Sequence, residues 1–133
     1  MSATFEEFRL YTTVSIKTQS ASATTKRALI DTGCVMTIIN KKFLQYNNIE
    51  LEHTDETIST KSVHSKSIHK KYKALIVVDN VEFPREVIIM DDIEHDIILG
   101  MDVIMFSDFY IHYNGTNDAD FDFSVNPLLH QHN

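Results

Sequence analysis

The chain is short of glycine, cysteine, long apolar runs and positive charge, and each shortage excludes something. Only three glycines occur among 133 residues. Two of them, Gly33 and Gly100, fall inside apolar stretches, where scarcity makes their placement informative. Cys34 is the one cysteine, which rules out an internal disulfide and points to a reducing compartment, the cytoplasm. No apolar run approaches the roughly 20 residues of a membrane-spanning helix. The opening residues, MSATFEEFRL, are acidic where a secretory leader is basic. A formal net charge of −7 argues against a nucleic-acid partner held by phosphate attraction. The one basic segment, KSVHSKSIHKKYK at 61–73, reads as a solvated pair of strands.

What is present is a β-rich chain of one-domain length, 1–133, with an ordinary hydrophobic share of 43%. RLYTTVSIK (9–17) alternates, placing Leu10, Thr12, Val14 and Ile16 on one face. SASATT (20–25) is small and polar and predicts a loop. RALI re-enters as a buried strand, and VMTII (35–39) reads as another. Asn40 is placed to cap a short helix, KKFLQY, that turns Phe43 and Leu44 inward. Residues 57–78 read as two strands with a polar bend near 61–66. Asp79-Asn80 turns the chain into VEFPREVIIM, whose Pro84 marks a bulge or an edge. DIILG is a buried strand and MDVIMF a short helical piece. DFYIHY and DFDFSV flank the tight-turn signal Asn114-Gly115. Many short strands, one or two short helices and no βαβ rhythm predict an all-β barrel or sandwich.

Within RALIDTGCVMTIIN (27–40) a single carboxylate, Asp31, precedes Thr32-Gly33 in strongly apolar surroundings. A buried acid is costly unless compensated. Taken alone, the tripeptide could be a strand end whose Gly33 supplies positive φ for a turn. A second stretch, DIILGMDVI (96–104), brings an apolar strand, Gly100 and a short helix. Together the two resemble the retropepsin-like aspartic proteases, over roughly residues 9 to 125. The resemblance implies a closed barrel of short strands, active as a two-fold homodimer, with no cofactor or metal. It implies that Asp31 is catalytic and that the stretch at Gly100 crosses behind it in support. Peptide hydrolysis by water needs a base and an acid, and two carboxylates sharing one proton supply both. With one Asp-Thr-Gly per chain, two-fold symmetry must supply the second. Thr32 would brace the paired loops, and Gly33 would let the backbone approach an extended peptide substrate. The substrate cleft would be lined by Gly33, Cys34, Val35, Asp96 and Ile98, with Val63 at the tip of a covering hairpin.

The chain departs from that family in two places. Cys34 stands where Ser, Thr or Ala is common, and a thiol is a weak donor, so its contact to Asp31 is expected to be weaker. The flap bend, TKSVHS (60–65), holds no glycine and has less backbone freedom. Among the other acids, Asp102 is expected to be structural, behind the active loop. His53, His64 and His69 lack metal-ligand spacing. Asp118, Asp120 and Asp122 lack the glycine and terminal glutamate of a calcium loop. Leu128 and Leu129 are candidates to join a dimer sheet. The alternative to an enzyme is a non-catalytic dimerisation or peptide-binding module on the same fold.

Overall fold

The computed structural model describes residues 2–6, 9–61, 66–113 and 119–126. Val63, His64, Asn114-Gly115, Asp118, Leu128 and Leu129 lie outside them. In chain order the elements are β1 (Ser2–Glu6), β2 (Arg9–Lys17), β3 (Ser22–Ile30), β4 (Ile38–Asn40), α1 (Lys41–Tyr46), β5 (His53–Lys61), β6 (Lys66–Val78), β7 (Val81–Met90), β8 (Ile97–Leu99), α2 (Met101–Ile104), β9 (Ser107–Tyr113) and β10 (Ala119–Val125). The strand order is β5-β6-β7-β4-β8-β3-β2-β1-β10-β9, and a further pairing of β6 with β2 joins the strands from β6 round to β2 into a ring. The expected all-β architecture with two short helices is present, and the ring matches the expected closure.

Local chemistry accounts for most elements. Asn40 caps α1 by accepting the Lys42 N–H, and Phe43 and Leu44 enter the core. Asp79 (φ 53°) and Asn80 (φ 64°) both adopt left-handed backbone, the requirement of a two-residue hairpin between β6 and β7. Pro84 sits opposite Leu75 in an unbroken register with β6. On its other side β7 meets β4 only from Ile88 onward, so the missing N–H falls on an open edge. Val14, Ile16, Ile39, Ile76, Phe83, Ile97 and Leu99 are fully buried inside the ring.

Two expectations are corrected. SASATT is a loop only at its start, because β3 begins at Ser22. The strand was obscured by a bulge. Thr12 pairs with Ala28 but Val14 pairs with Thr25, so β3 carries an extra residue at Lys26-Arg27. Its buried set shifts from Ala23 and Thr25 to Ala28 and Ile30, which breaks the alternation a strand shows in sequence. Tyr11, on the face of β2 opposite Val14 and Ile16, is nonetheless only 3% exposed. The Arg27 guanidinium lies 4.5 Å from its ring centre, and His95 packs at 5.6 Å. The second correction is VMTII, which is a strand only from Ile38.

Candidate active site

The reason 34–37 leaves the sheet lies some sixty residues away. The Met101 N–H donates to the Cys34 carbonyl at 2.7 Å, and the Asp102 N–H to the Val35 carbonyl at 3.2 Å. These carbonyls serve the first turn of α2 instead of a strand ladder, meeting donors that a helix start otherwise leaves unpaired. Gly100 makes the crossing possible. A Cβ on it would lie 2.8 Å from both the Cys34 carbonyl oxygen and the Met36 carbonyl carbon, closer than any side chain tolerates.

Thr37 is the hub of this crossing, fully buried. Its hydroxyl donates to Asp102 Oδ1 at 2.8 Å and accepts the Gly100 N–H at 3.1 Å. Its own N–H donates to Asp102 Oδ2 at 3.0 Å. Asp102 is therefore structural, as expected. Arg85 holds the far side of α2, its Nε donating to the Asp102 carbonyl at 2.9 Å. The importance of Thr37 was missed in the sequence, where its one signal is a hydroxyl inside an apolar run.

Asp31 sits at the end of β3, directly after Ile30, which pairs with Leu99 of β8. Its N–H donates to the Leu99 carbonyl at 3.0 Å. Its carbonyl accepts the Cys34 N–H at 3.1 Å, and its Oδ1 accepts the Gly33 N–H at 2.9 Å. The loop is thus a turn closed by both backbone and side chain. Gly33 does not use positive φ. A Cβ there would stand 3.2 Å from Asp31 Oδ1 and would crowd the carboxylate. The acid is half-buried rather than buried, while Thr32 and Gly33 are exposed. Val35 is 76% exposed beside them.

The Cys34 thiol donates to the Met36 carbonyl at 2.8 Å, not to Asp31 as expected. Burial first, and then the Asp31 and Asp102 carboxylates, push its pKa up, so it stays a neutral thiol at physiological pH. Ile98 is partly buried, between Leu29 and Ile38 on the neighbouring strands. Asp96 lies apart from Asp31, at the other end of β8, with its carboxylate accepting the Thr25 hydroxyl at 2.8 Å. Asp31, Thr32, Gly33, Cys34, Val35 and Gly100 form one cluster. A cavity of about 760 Å³ beside α1, lined by Lys17, Leu44, Ile49, Leu51 and Lys73 among others, takes no residue from that cluster.

A family model described as retroviral aspartyl protease matches residues 2–113. The fold is similar to the crystal structure of a retropepsin-like aspartic protease from Rickettsia conorii. The TM-score is 0.62 and the identity 14%, over 92% of this chain and 89% of that one. No curated protein matches. Among the described residues, no helix is long and apolar enough to cross a membrane.

Proposed function

The chain belongs to the retroviral aspartyl protease family, and on that premise we propose that it is an aspartic endopeptidase, working as a homodimer with one Asp31 from each subunit. The observation that carries this reading is the construction of the Asp31 loop. A carboxylate held by the Gly33 N–H stands half-open at a strand end, in a loop braced from behind by Thr37, Gly100 and Asp102. Exposed Thr32 and Val35 beside it are suited to being covered by a second copy, since a residue near a two-fold axis meets its own image.

In the dimer the two carboxylates share one proton, because like charges so close do not both ionise. The charged member takes a proton from the attacking water. The protonated member donates to the carbonyl oxygen and then the proton passes to the leaving nitrogen. The two apparent pKa values belong to the pair. An extended peptide lies across the loops, exchanging main-chain hydrogen bonds and filling alternate pockets. Gly33, Val35 and Ile98 are proposed to line those pockets with Cys34, Asp96 lying further out and Val63 reaching down from the hairpin. The reading takes the whole chain as one protease domain in a reducing, cytoplasmic setting, in keeping with its unpaired Cys34.

The test is incubation with denatured protein across pH 3–8, beside Asp31→Asn. Cleavage that falls about 10³-fold in the variant, with dimerisation retained in sedimentation, is the expected result. A strict monomer at micromolar concentration, or equal fragments from both proteins, sinks the reading. Dimerisation and peptide binding without cleavage would leave the non-catalytic module.

A further inference from the structure

The basic segment is the feature the proposed chemistry leaves unused. Residues 61–73 hold five of the twelve Lys and Arg and no carboxylate, in a chain of net charge −7. In the β5–β6 register Lys61 stands directly opposite Lys66, so both project from one face. Like charges so opposed work against a hairpin. Lys71 shows the contrast: it is neutralised within the hairpin by Glu56 at 3.1 Å. Among the described residues no carboxylate forms an ion pair with Lys61, Lys66 or Lys70.

Alternation tells which way these side chains face. Ala74, Ile76 and Val78 of β6 point into the core. With a period of two, Lys66, Ile68 and Lys70 lie on that same inward side, beyond the rim of the core. Ile68 is 67% exposed there, an apolar side chain between two cations. A hairpin that opposes cations on its inner face and leaves an isoleucine uncovered among them is complementary to something negative and partly apolar.

Resting on the peptidase reading, we infer that the β5–β6 hairpin selects substrates, using Lys61, Lys66 and Lys70 around Ile68 to hold extended peptides in which acidic side chains flank an apolar one. An extended peptide presents side chains alternately, so carboxylates two positions either side of an apolar residue meet the cations as that residue meets Ile68. The acidic remainder of the chain repels polyanions in general, which restricts attraction to what the hairpin itself can cover.

The experiment measures binding apart from cleavage. The Asp31→Asn homodimer is titrated against labelled peptides that differ only in Glu or Gln around a central Leu, by fluorescence anisotropy at low and high salt. The acidic peptide binds about tenfold tighter, a preference that shrinks with salt. Lys61→Gln/Lys66→Gln removes the preference, and Lys26→Gln/Lys41→Gln, which removes as much charge elsewhere, keeps it. Equal affinity for the two peptides, no binding of either, a preference unchanged in the hairpin variant, or an oligonucleotide bound as tightly overturns the inference. The wild-type protein is then given the same peptides. Acid-selective binding without cleavage sinks the peptidase reading alone, and cleavage indifferent to charge sinks the hairpin's role alone.

Discussion

The Asp31 loop and the β5–β6 hairpin both carry charged side chains outside the core, yet they are held in opposite ways. Residues 31–37 are bonded to Leu99, Gly100, Met101 and Asp102, far away in sequence. At their centre Thr37 is fully buried. No residue of β5 is buried, and its partner is its own neighbour β6. One side-chain tie across that pairing, Thr60 to His69 at 3.1 Å, is local. In the proposed dimer Asp31 has to be placed accurately against its symmetry mate, and distant straps do that. A hairpin with the proposed role of holding varied peptides is better left with local pairing, which opens at low free-energy cost.

Substitutions can break that contrast. The largest stability effect is expected at Gly100. Gly100→Ala forces backbone apart at the crossing and lowers unfolding free energy by about 1–3 kcal/mol in a denaturant titration, with activity falling alongside. Ser59→Ala on the hairpin stays within about 0.5 kcal/mol. Similar losses at both sites would show that the loop is no more tightly constructed than the hairpin.

A smaller effect tests the hub. Thr37→Val keeps the shape but leaves the Gly100 N–H and one Asp102 oxygen without a partner. It is expected to lose about 1–2 kcal/mol and to lower kcat more than it raises KM, because Asp31 is displaced rather than the peptide. A wild-type kcat in this variant would show that the strap does not position the carboxylate.

The smallest effect sharpens the comparison within the loop. The Cys34 thiol has a raised pKa in the folded state. Its contribution to stability is therefore complete below the unfolded value, near 9.0, and is lost as pH rises beyond it. Thermal melts between pH 8 and pH 10 should fall further for wild type than for Cys34→Ala. Matching slopes would remove the desolvated environment assigned to this thiol.

Much of this was legible in the residues. The Asn40 cap, the Asp79-Asn80 turn and the short helix after Gly100 each rest on chemistry contained within a few positions. Asp31 and Gly100 were legible as a pair only through their family resemblance. The β3 bulge was not legible, since one extra residue at Lys26-Arg27 reverses the alternation on which strand reading depends. Nor was the path of 34–37, where β-forming residues give up their ladder to meet α2. Asp96 looked like a cleft residue, and its hydrogen bond to Thr25 is visible only once β3 and β8 lie side by side.

The amino-acid order alone determined which segments extend, where they turn, and that the Asp31 carboxylate follows the end of an apolar strand. Periodicity and turn preference are local free energies, so they survive without knowledge of the fold. Tertiary structure decided what stands behind that carboxylate, which glycine has no room for a Cβ, and which lysines face each other. Those depend on strands brought together from distant positions, where a side chain's partner is set by register and closure rather than by its neighbours in the chain.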